Sequence, residues 1–173
     1  MYSKPGLLGE FNTDRLVVQD QEAPYIIETG TLNHAACSGV SSAIDFISSI
    51  GEGATLREKL ENAYHQIGVH EFELAKHLYG SLQKEKKITI KGPDFSSKKR
   101  TPTVSFVHSE FSPQDVCKKL ASENICAWDG HFYALKAIQQ LGLESAGGVT
   151  RLGISLYNTK QEVDRVVQVI KRM

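Results

Sequence analysis

Three places in the sequence carry residue types that could take part in chemistry. Gly30 and Thr31 precede a predicted helix, where backbone amides, the helix dipole and a hydroxyl can together hold an anion such as a phosphate. Arg151 lies in a predicted strand of otherwise small or apolar residues, and its guanidinium is suited to a bidentate contact with a carboxylate. His131 follows a predicted turn, where an imidazole could act as an acid or a base near neutral pH. From the residues alone, each also has an ordinary structural interpretation: a helix cap, a solvent-facing strand residue and a surface histidine.

The elements that would position these residues change in character along the chain. Residues 1–30 are irregular, and then apolar residues at three- and four-residue spacing predict two helices, from Thr31 or Asn33 to Ile50 and from about Thr55 to Gln83. Beyond residue 84, short strands alternate with helices. Strands are predicted at 88–90, 103–107, 125–128 and 150–156, and helices at 113–122, at 132–141 and after a capping box of Thr159 and Glu162. This order predicts an α+β fold of the α/β type, with helices on one face of a sheet.

Composition excludes several classes of function. The 173 residues include 20 Lys or Arg and 20 Asp or Glu, and this zero net charge argues against a nucleic-acid partner, so the basic run from Lys84 to Arg100 is interpreted as a solvated surface. No apolar run approaches the ~20 residues that cross a bilayer, so no membrane partner is expected. Cys37, Cys117 and Cys126 are odd in number and lack metal-ligand spacing, which predicts buried, reduced thiols in a cytoplasmic protein without a metal site.

Two longer segments resemble signatures of a known family. Residues 28–34 read E-T-G-T-L-N-H, which is similar to the E-x-G-T-x-N segment of class V aminotransferases and cysteine desulfurases. Residues 151–164 read R-L-G-I-S-L-Y-N-T-K-Q-E-V-D, which resembles that family's R-x-S-x-x-x-Y-N-T-x-x-E-[IV]-D signature. Residues 125–134 are similar to the strand and G-H loop that lie between these two signatures in the family. These enzymes are of fold type I and use pyridoxal phosphate.

The resemblance implies that the chain is the C-terminal portion of a larger homodimeric enzyme. Residues 1–30 would be the tail of the large cofactor-binding domain, residues 31–83 the linking and long helices, and residues 84–173 the small C-terminal α+β domain. The family's cofactor-binding lysine lies in an S-x-H-K-x-x-G-P context that this sequence does not contain. We therefore expect no catalytic residue in this chain, no activity from it alone and no stable binding of pyridoxal phosphate to it.

The same resemblance assigns roles to individual residues. Arg151 corresponds to the arginine that binds the substrate α-carboxylate, and Thr31, beside Gly30, to the residue that donates to the cofactor phosphate across the dimer interface. His131 and Tyr133 are expected to line the substrate cleft.

One departure from the family pattern bears on the reaction. The related desulfurases carry a sulfur-accepting cysteine in a G-H-x-C loop, but here the fourth position is Tyr133, and a phenol cannot accept sulfur. Standard desulfuration is therefore not expected, whereas transamination, elimination or epimerisation of a small amino acid stays open. The alternative is a non-catalytic binding or regulatory module that retains the small-domain fold.

Overall fold

The structure of the chain is a computed structural model, which describes residues 3–28, 30–96 and 100–173. It divides the chain into two compact units, residues 1–50 and residues 51–173. Thr29 of the E-x-G-T segment and Lys98 and Lys99 of the basic run lie outside the described residues. The three-part division predicted from the sequence stays a prediction.

The first unit contains little buried surface. It has two short 3-10 helices, Leu7–Glu10 and Tyr25–Ile27, and one α-helix, α1 (His34–Ser48). The side chain of Asn33 accepts a hydrogen bond from the Ala36 backbone N–H at 2.9 Å, which caps α1 as the sequence predicts. Among the described residues of this unit only Ile26 is buried, and every side chain of α1 is at least partly exposed.

The second unit is built around one sheet. It begins with the long helix α2 (Leu56–Leu82), and the other elements are β1 (Ile88–Lys91), β2 (Thr103–His108), α3 (Pro113–Ser122), β3 (Trp128–Gly130), α4 (Leu135–Gln140), β4 (Val149–Gly153) and α5 (Lys160–Lys171). The four strands are antiparallel in the order β1-β2-β4-β3. This arrangement confirms the predicted α+β fold, with a long helix before a sheet on which helices pack.

The main core lies between one face of the sheet and α2, α3 and α5. Side chains alternate along a strand, so Val104 and Phe106 of β2 and Leu152 of β4 point to this face and are almost fully buried. Leu78 and Leu82 of α2 pack against them. Burial of each such side chain contributes about 1.5–3 kcal/mol of transfer free energy. This burial stabilises the packing of β4 against the helices.

The opposite face of the sheet is only partly covered. Ile138 of α4 and the following Leu143 pack against Val149, with Val107 and Phe132 at the margin of this small cluster. Within the described part of residues 51–173, no helix packs over the remainder of this face, which includes the exposed Arg151. We call this uncovered part the open face of the sheet.

The predicted third strand begins later than expected. Asn124 has a positive φ of 57°, and the Ile125 N–H donates to the Leu120 carbonyl at 3.0 Å, so this stretch ends α3 and cannot pair in the sheet. The prediction of a strand at 125–128 was therefore wrong, and β3 starts at Trp128. Asp129 and Gly130, predicted as a turn, belong to the strand.

Two other boundaries also differ from the prediction. The helix predicted from residue 132 begins at Leu135, because Phe132 and Tyr133 have φ of 51° and 59°, outside the helical region. The strand predicted to reach residue 156 ends at Gly153, because the Ser155 N–H donates to the Asn158 side chain at 2.9 Å and closes a turn.

Candidate functional site

Arg151 lies in the centre of the open face. Its neighbours Thr150 and Leu152 point into the core, so the alternation of β4 turns Arg151 to the other side, where it is exposed. In the antiparallel register, Arg151 pairs with Ser105 of β2 and with Trp128 of β3. The prediction that Arg151 lies in a strand is confirmed. The guanidinium is therefore carried by a strand of the sheet and not by a loop.

Phe132 holds the Arg151 side chain from the loop that follows β3. The guanidinium carbon lies 3.9 Å from the centre of the Phe132 ring, a cation–π stack that orients the plane of the guanidinium. Within residues 3–28, 30–96 and 100–173, no carboxylate lies within ion-pair distance of Arg151. Its hydrogen-bonding edge can therefore receive the carboxylate of a ligand.

The loop from His131 to Tyr133 stands beside this arginine. The Tyr133 N–H donates to Nδ1 of His131 at 3.1 Å, so the neutral imidazole carries its proton on Nε2, the atom left to contact a ligand. The two rings lie 6.2 Å apart, and the Tyr133 side chain is 98% exposed. The stack of Phe132 on Arg151 brings this loop to the arginine, whereas substrate contact by His131 and Tyr133 stays a prediction.

The position of the loop depends on a close approach of two glycines. Gly148, immediately before β4, has a φ of 94°, and a Cβ atom built on it would lie 2.2 Å from the Gly130 carbonyl oxygen. Such a distance is far inside van der Waals contact, and a positive φ also disfavours other residues. Glycine at position 148 therefore allows β3 to pair with β4 and to present its loop over Arg151.

Gly30 and Thr31 belong to the first unit. Both are exposed, and no atom lies within 4 Å of the place where a Cβ of Gly30 would stand. The Thr31 hydroxyl makes no hydrogen bond within the described part of the chain. An open backbone and an uncommitted hydroxyl just before a helix fit the donor set that a phosphate group needs.

A separate cleft opens on another part of the second unit. It encloses about 370 Å³ between α5, the end of β4 and the segment after α3, and its lining includes Cys126, Leu152, Tyr157, Asn158, Glu162 and Arg165. None of Arg151, His131 and Tyr133 contributes to it. We place the candidate site at Arg151 because its guanidinium is stacked on Phe132 and has no ion-pair partner among the described residues, whereas the guanidinium at this cleft, that of Arg165, already donates to the Glu123 carbonyl oxygen.

The three cysteines differ from the sequence expectation. Cys37 and Cys126 are exposed, so the prediction that all three thiols are buried was wrong. Cys117 of α3 is partly buried, and burial, together with the nearby Asp129 carboxylate, raises the pKa of its thiol to about 11. Within the described residues, no group of three or more potential ligands is placed to hold a metal ion.

The proximity of two residues, Phe132 and Trp128, to Arg151 is not predicted from the sequence. The sequence pattern predicts Phe132 within a helix and Trp128 at the end of a strand. The available signal was their proximity to Gly130 and His131 in a stretch rich in aromatic residues. Their relation to Arg151 arises from strand register and from a left-handed loop, and neither can be obtained from residue spacing.

Comparison with known proteins shows that the chain is similar to part of several cysteine desulfurases. It is 29% identical over 151 residues to a probable cysteine desulfurase of Staphylococcus epidermidis, which covers 87% of this chain and 32% of the relative. It is 27% identical over 176 residues to a probable cysteine desulfurase of Methanothermobacter thermautotrophicus, which covers 97% of this chain and 38% of the relative. The chain thus spans about a third of the length of the curated relatives it matches.

Solved structures give the same result. A cysteine desulfurase of Thermococcus onnurineus superimposes with a TM-score of 0.71 and 25% identity, over 86% of this chain and 33% of that one. A cysteine desulfurase of Escherichia coli, at 23% identity and a TM-score of 0.67, shares the fold over 88% of this chain and 33% of its own.

In the part of the chain that the structure describes, no helix has the length and apolar character needed to cross a bilayer.

The family model for class V aminotransferases matches residues 5–166, which include both signature segments, the Arg151 strand and the loop beside it. The chain belongs to the aminotransferase class-V family.

Proposed function

We propose that this chain supplies the substrate-carboxylate site of a pyridoxal phosphate-dependent enzyme that acts on an amino acid. One observation carries the proposal: Arg151 stands on the open face of the sheet, stacked on Phe132 and without a carboxylate partner among the described residues. An arginine so placed can bind a carboxylate through two parallel N–H···O hydrogen bonds. Each charged hydrogen bond contributes about 1.5–3 kcal/mol, enough to fix one end of a small substrate.

The geometry gives Arg151 an orienting role as well as a binding one. A bidentate contact fixes the plane of the substrate carboxylate, and this restricts rotation about the bond to the α-carbon. Phe132 supports this role because the stack on its ring favours one orientation of the guanidinium. The pair therefore determines which bond of the α-carbon is presented for reaction.

Gly30 and Thr31 are the residues that would contact the cofactor phosphate. Their exposed hydroxyl and open backbone support this assignment. Pyridoxal phosphate, when bound, supplies the electron sink for breaking bonds at the α-carbon. In the homodimeric parent that the family resemblance implies, these residues would act on the neighbouring subunit's site, and the lysine context H-K-x-x-G-P would come from outside this sequence.

The loop residues bear on the type of reaction. Tyr133 occupies the position of the desulfurase thiol, and its phenol cannot accept sulfur, so we propose a transamination, elimination or epimerisation rather than standard desulfuration. His131 can hold or donate a proton at Nε2, because its Nδ1 accepts from the Tyr133 N–H. Both side chains are exposed and available to line the substrate cleft.

The carboxylate assignment can be tested on the chain itself. We expect alanine, but not alaninamide, to shift the NMR signal of the Arg151 Nε–H group in a saturable way. Arg151→Lys keeps the charge but loses the planar fork, so it should weaken alanine binding by about tenfold. Arg57→Lys is the matched control, because Arg57 is an exposed arginine of α2 that pairs with Glu61. Equal shifts with alaninamide would contradict the assignment.

A further inference from the structure

We propose that Trp128 is a specificity-determining residue of the Arg151 site, and that the site selects amino acids whose side chain is aromatic or large and apolar. The inference rests on the proposed function, because it takes Arg151 as the anchor of the substrate carboxylate. It deepens that function by naming the class of substrate, and it replaces the small amino acid that the family resemblance implies.

The position of Trp128 is fixed by the sheet. Trp128 and Arg151 are direct cross-strand partners of β3 and β4, so their side chains leave the same face of the sheet. Cβ atoms of such partners lie about 4.5–5.5 Å apart, well within reach of an indole ring. Because β3 is the edge strand, nothing in the sheet covers the outer side of Trp128. A ligand on Arg151 can therefore extend over the indole.

The indole is not used by the fold. Its side chain is 68% exposed, and the aromatic ring stacked on Arg151 is that of Phe132, not Trp128. Within the described ranges, the indole N–H has no hydrogen-bond partner. A large aromatic residue exposed beside an oriented cation has both an apolar surface and a polar atom to offer a ligand.

The surroundings favour an apolar substrate side chain. Residues 128–133 contain four aromatic rings, those of Trp128, His131, Phe132 and Tyr133. The one carboxylate of this stretch, Asp129, pairs with the buried Thr150 and contacts Cys117, so it points to the other face of the sheet. An ammonium side chain placed here would lose hydration without gaining an ionic partner from this stretch. An aromatic side chain would instead gain ring contacts and buried area.

Trp128 is the only tryptophan of the chain, so its fluorescence reports on this site alone. We expect phenylalanine to change the indole emission of the intact chain in a saturable way, at a concentration about tenfold lower than alanine requires. Phenylalaninamide, which keeps the ring but lacks the carboxylate, should bind much more weakly. Aspartate, which has a carboxylate side chain and no ring, should show no advantage over alanine.

Variants then separate side-chain selection from carboxylate binding. Trp128→Ala, followed by saturation-transfer NMR because the fluorophore is gone, should lose most of the preference for phenylalanine over alanine, whereas Trp128→Phe should keep it. Tyr64→Ala removes a comparably exposed aromatic of α2 and should leave the preference unchanged. Trp128 and Tyr64 are both exposed, so neither change is expected to impair folding.

The outcomes distinguish the two proposals. Equal binding of phenylalanine and alanine, with weak binding of phenylalaninamide, would overturn the role of Trp128 and leave that of Arg151 intact. Equal binding of phenylalanine and phenylalaninamide would overturn the carboxylate role of Arg151 and with it this inference. A flat titration with every ligand would overturn both for this chain.

Discussion

A single stack on Phe132 holds the Arg151 side chain in place for the carboxylate contact proposed above. An exposed arginine normally samples many rotamers, and ordering it on a ligand costs up to about 2 kcal/mol of conformational entropy. The Phe132 ring, 3.9 Å from the guanidinium carbon, restricts this freedom before any ligand arrives. At the scale of the residue, the site is thus preorganised by one contact.

Cys117 and Asp129 form a second pair of interacting residues, and the reactivity of the Cys117 thiol should depend on pH in a measurable way. The pKa of Cys117 is raised to about 11 by burial and by the neighbouring carboxylate, so little thiolate is present at neutral pH. We expect iodoacetamide to alkylate the exposed Cys37 and Cys126 first, and Cys117 only as the pH approaches its raised pKa. Peptide mass spectrometry across a pH series measures the three rates.

The variant Asp129→Asn separates the two causes of this shift. Removing the carboxylate lowers the pKa of Cys117, so alkylation of Cys117 should begin at a lower pH while the exposed cysteines react as before. An unchanged pH profile for Cys117 would contradict a contribution from Asp129. Burial would then be the sole cause.

The position of Arg151 in a strand could be predicted from spacing alone. Arg151 alternates with Thr150 and Leu152, so its place on the solvent side of a strand could be predicted from the pattern. The role of Phe132 could not, because it depends on φ values of 51° and 59° in a loop that the apolar pattern assigns to a helix. Local backbone strain of this kind leaves no periodic signal.

At the scale of elements, two helices begin with the same device. In α2 and α5, a threonine side chain accepts from the backbone N–H of a glutamate three residues on, and that glutamate accepts in return from the threonine N–H. We expect Thr159→Ala to lower the free energy of unfolding by about 1 kcal/mol, as measured by urea denaturation. Thr55→Ala removes the equivalent cap of α2 and is the matched comparison. No loss of stability in Thr159→Ala would show that the cap of α5 is dispensable.

The α5 cap also makes stability depend on pH. The pKa of Glu162 is lowered, chiefly because its carboxylate accepts from the Thr159 N–H, so the folded chain binds this proton less readily than the unfolded chain. The stabilisation is complete above the unfolded pKa of about 4.3 and is lost as the pH falls through the lower folded value. Glu162→Gln should therefore flatten the acid side of the stability profile. An identical acid dependence in the variant would contradict this linkage.

Element positions were well predicted where caps and periodicity agree. The apolar stripe of α2 and the capping box of Thr159 and Glu162 specify these helices locally, so both ends of α2 and the start of α5 fell within a residue or two of the prediction. The strand at 125–128 failed because the backbone there completes the end of α3, through the bond from Ile125 to Leu120. Helix termination and strand pairing compete for the same amides, and only the folded chain decides between them.

At the scale of the whole molecule, the second unit has its own core while the first does not. The buried cluster of residues 51–173 joins three helices to the sheet, whereas among the described residues of the first unit only Ile26 is buried. The family match and the fold were both predicted from the two signature segments, and both are confirmed. The roles of Gly30 and Thr31 toward a phosphate stay predictions.

The cofactor behaviour of the isolated chain follows from its lysines. A stable imine at neutral pH needs a lysine whose pKa burial or a neighbouring cation has lowered, and no lysine that the structure describes is buried. We expect pyridoxal phosphate to form no more imine with this chain than it forms with N-acetyl-lysine at the same concentration of amino groups. Borohydride reduction followed by peptide mass spectrometry would locate any adduct. Stoichiometric labelling of a single lysine would contradict the expectation that the cofactor lysine lies outside this sequence.

The arrangement of side chains on the open face depends on the close approach of Gly148 to Gly130. A methyl group at position 148 would collide with the Gly130 carbonyl and force β3 away from β4. Trp128 would then lose its register with Arg151, and the ring of Phe132 would leave the guanidinium. A single added carbon atom, outside the residues proposed to contact substrate, would in this way separate the proposed binding residues while the main hydrophobic core stayed whole, so a change that abolishes the proposed carboxylate binding need not alter Arg151 or Trp128 themselves.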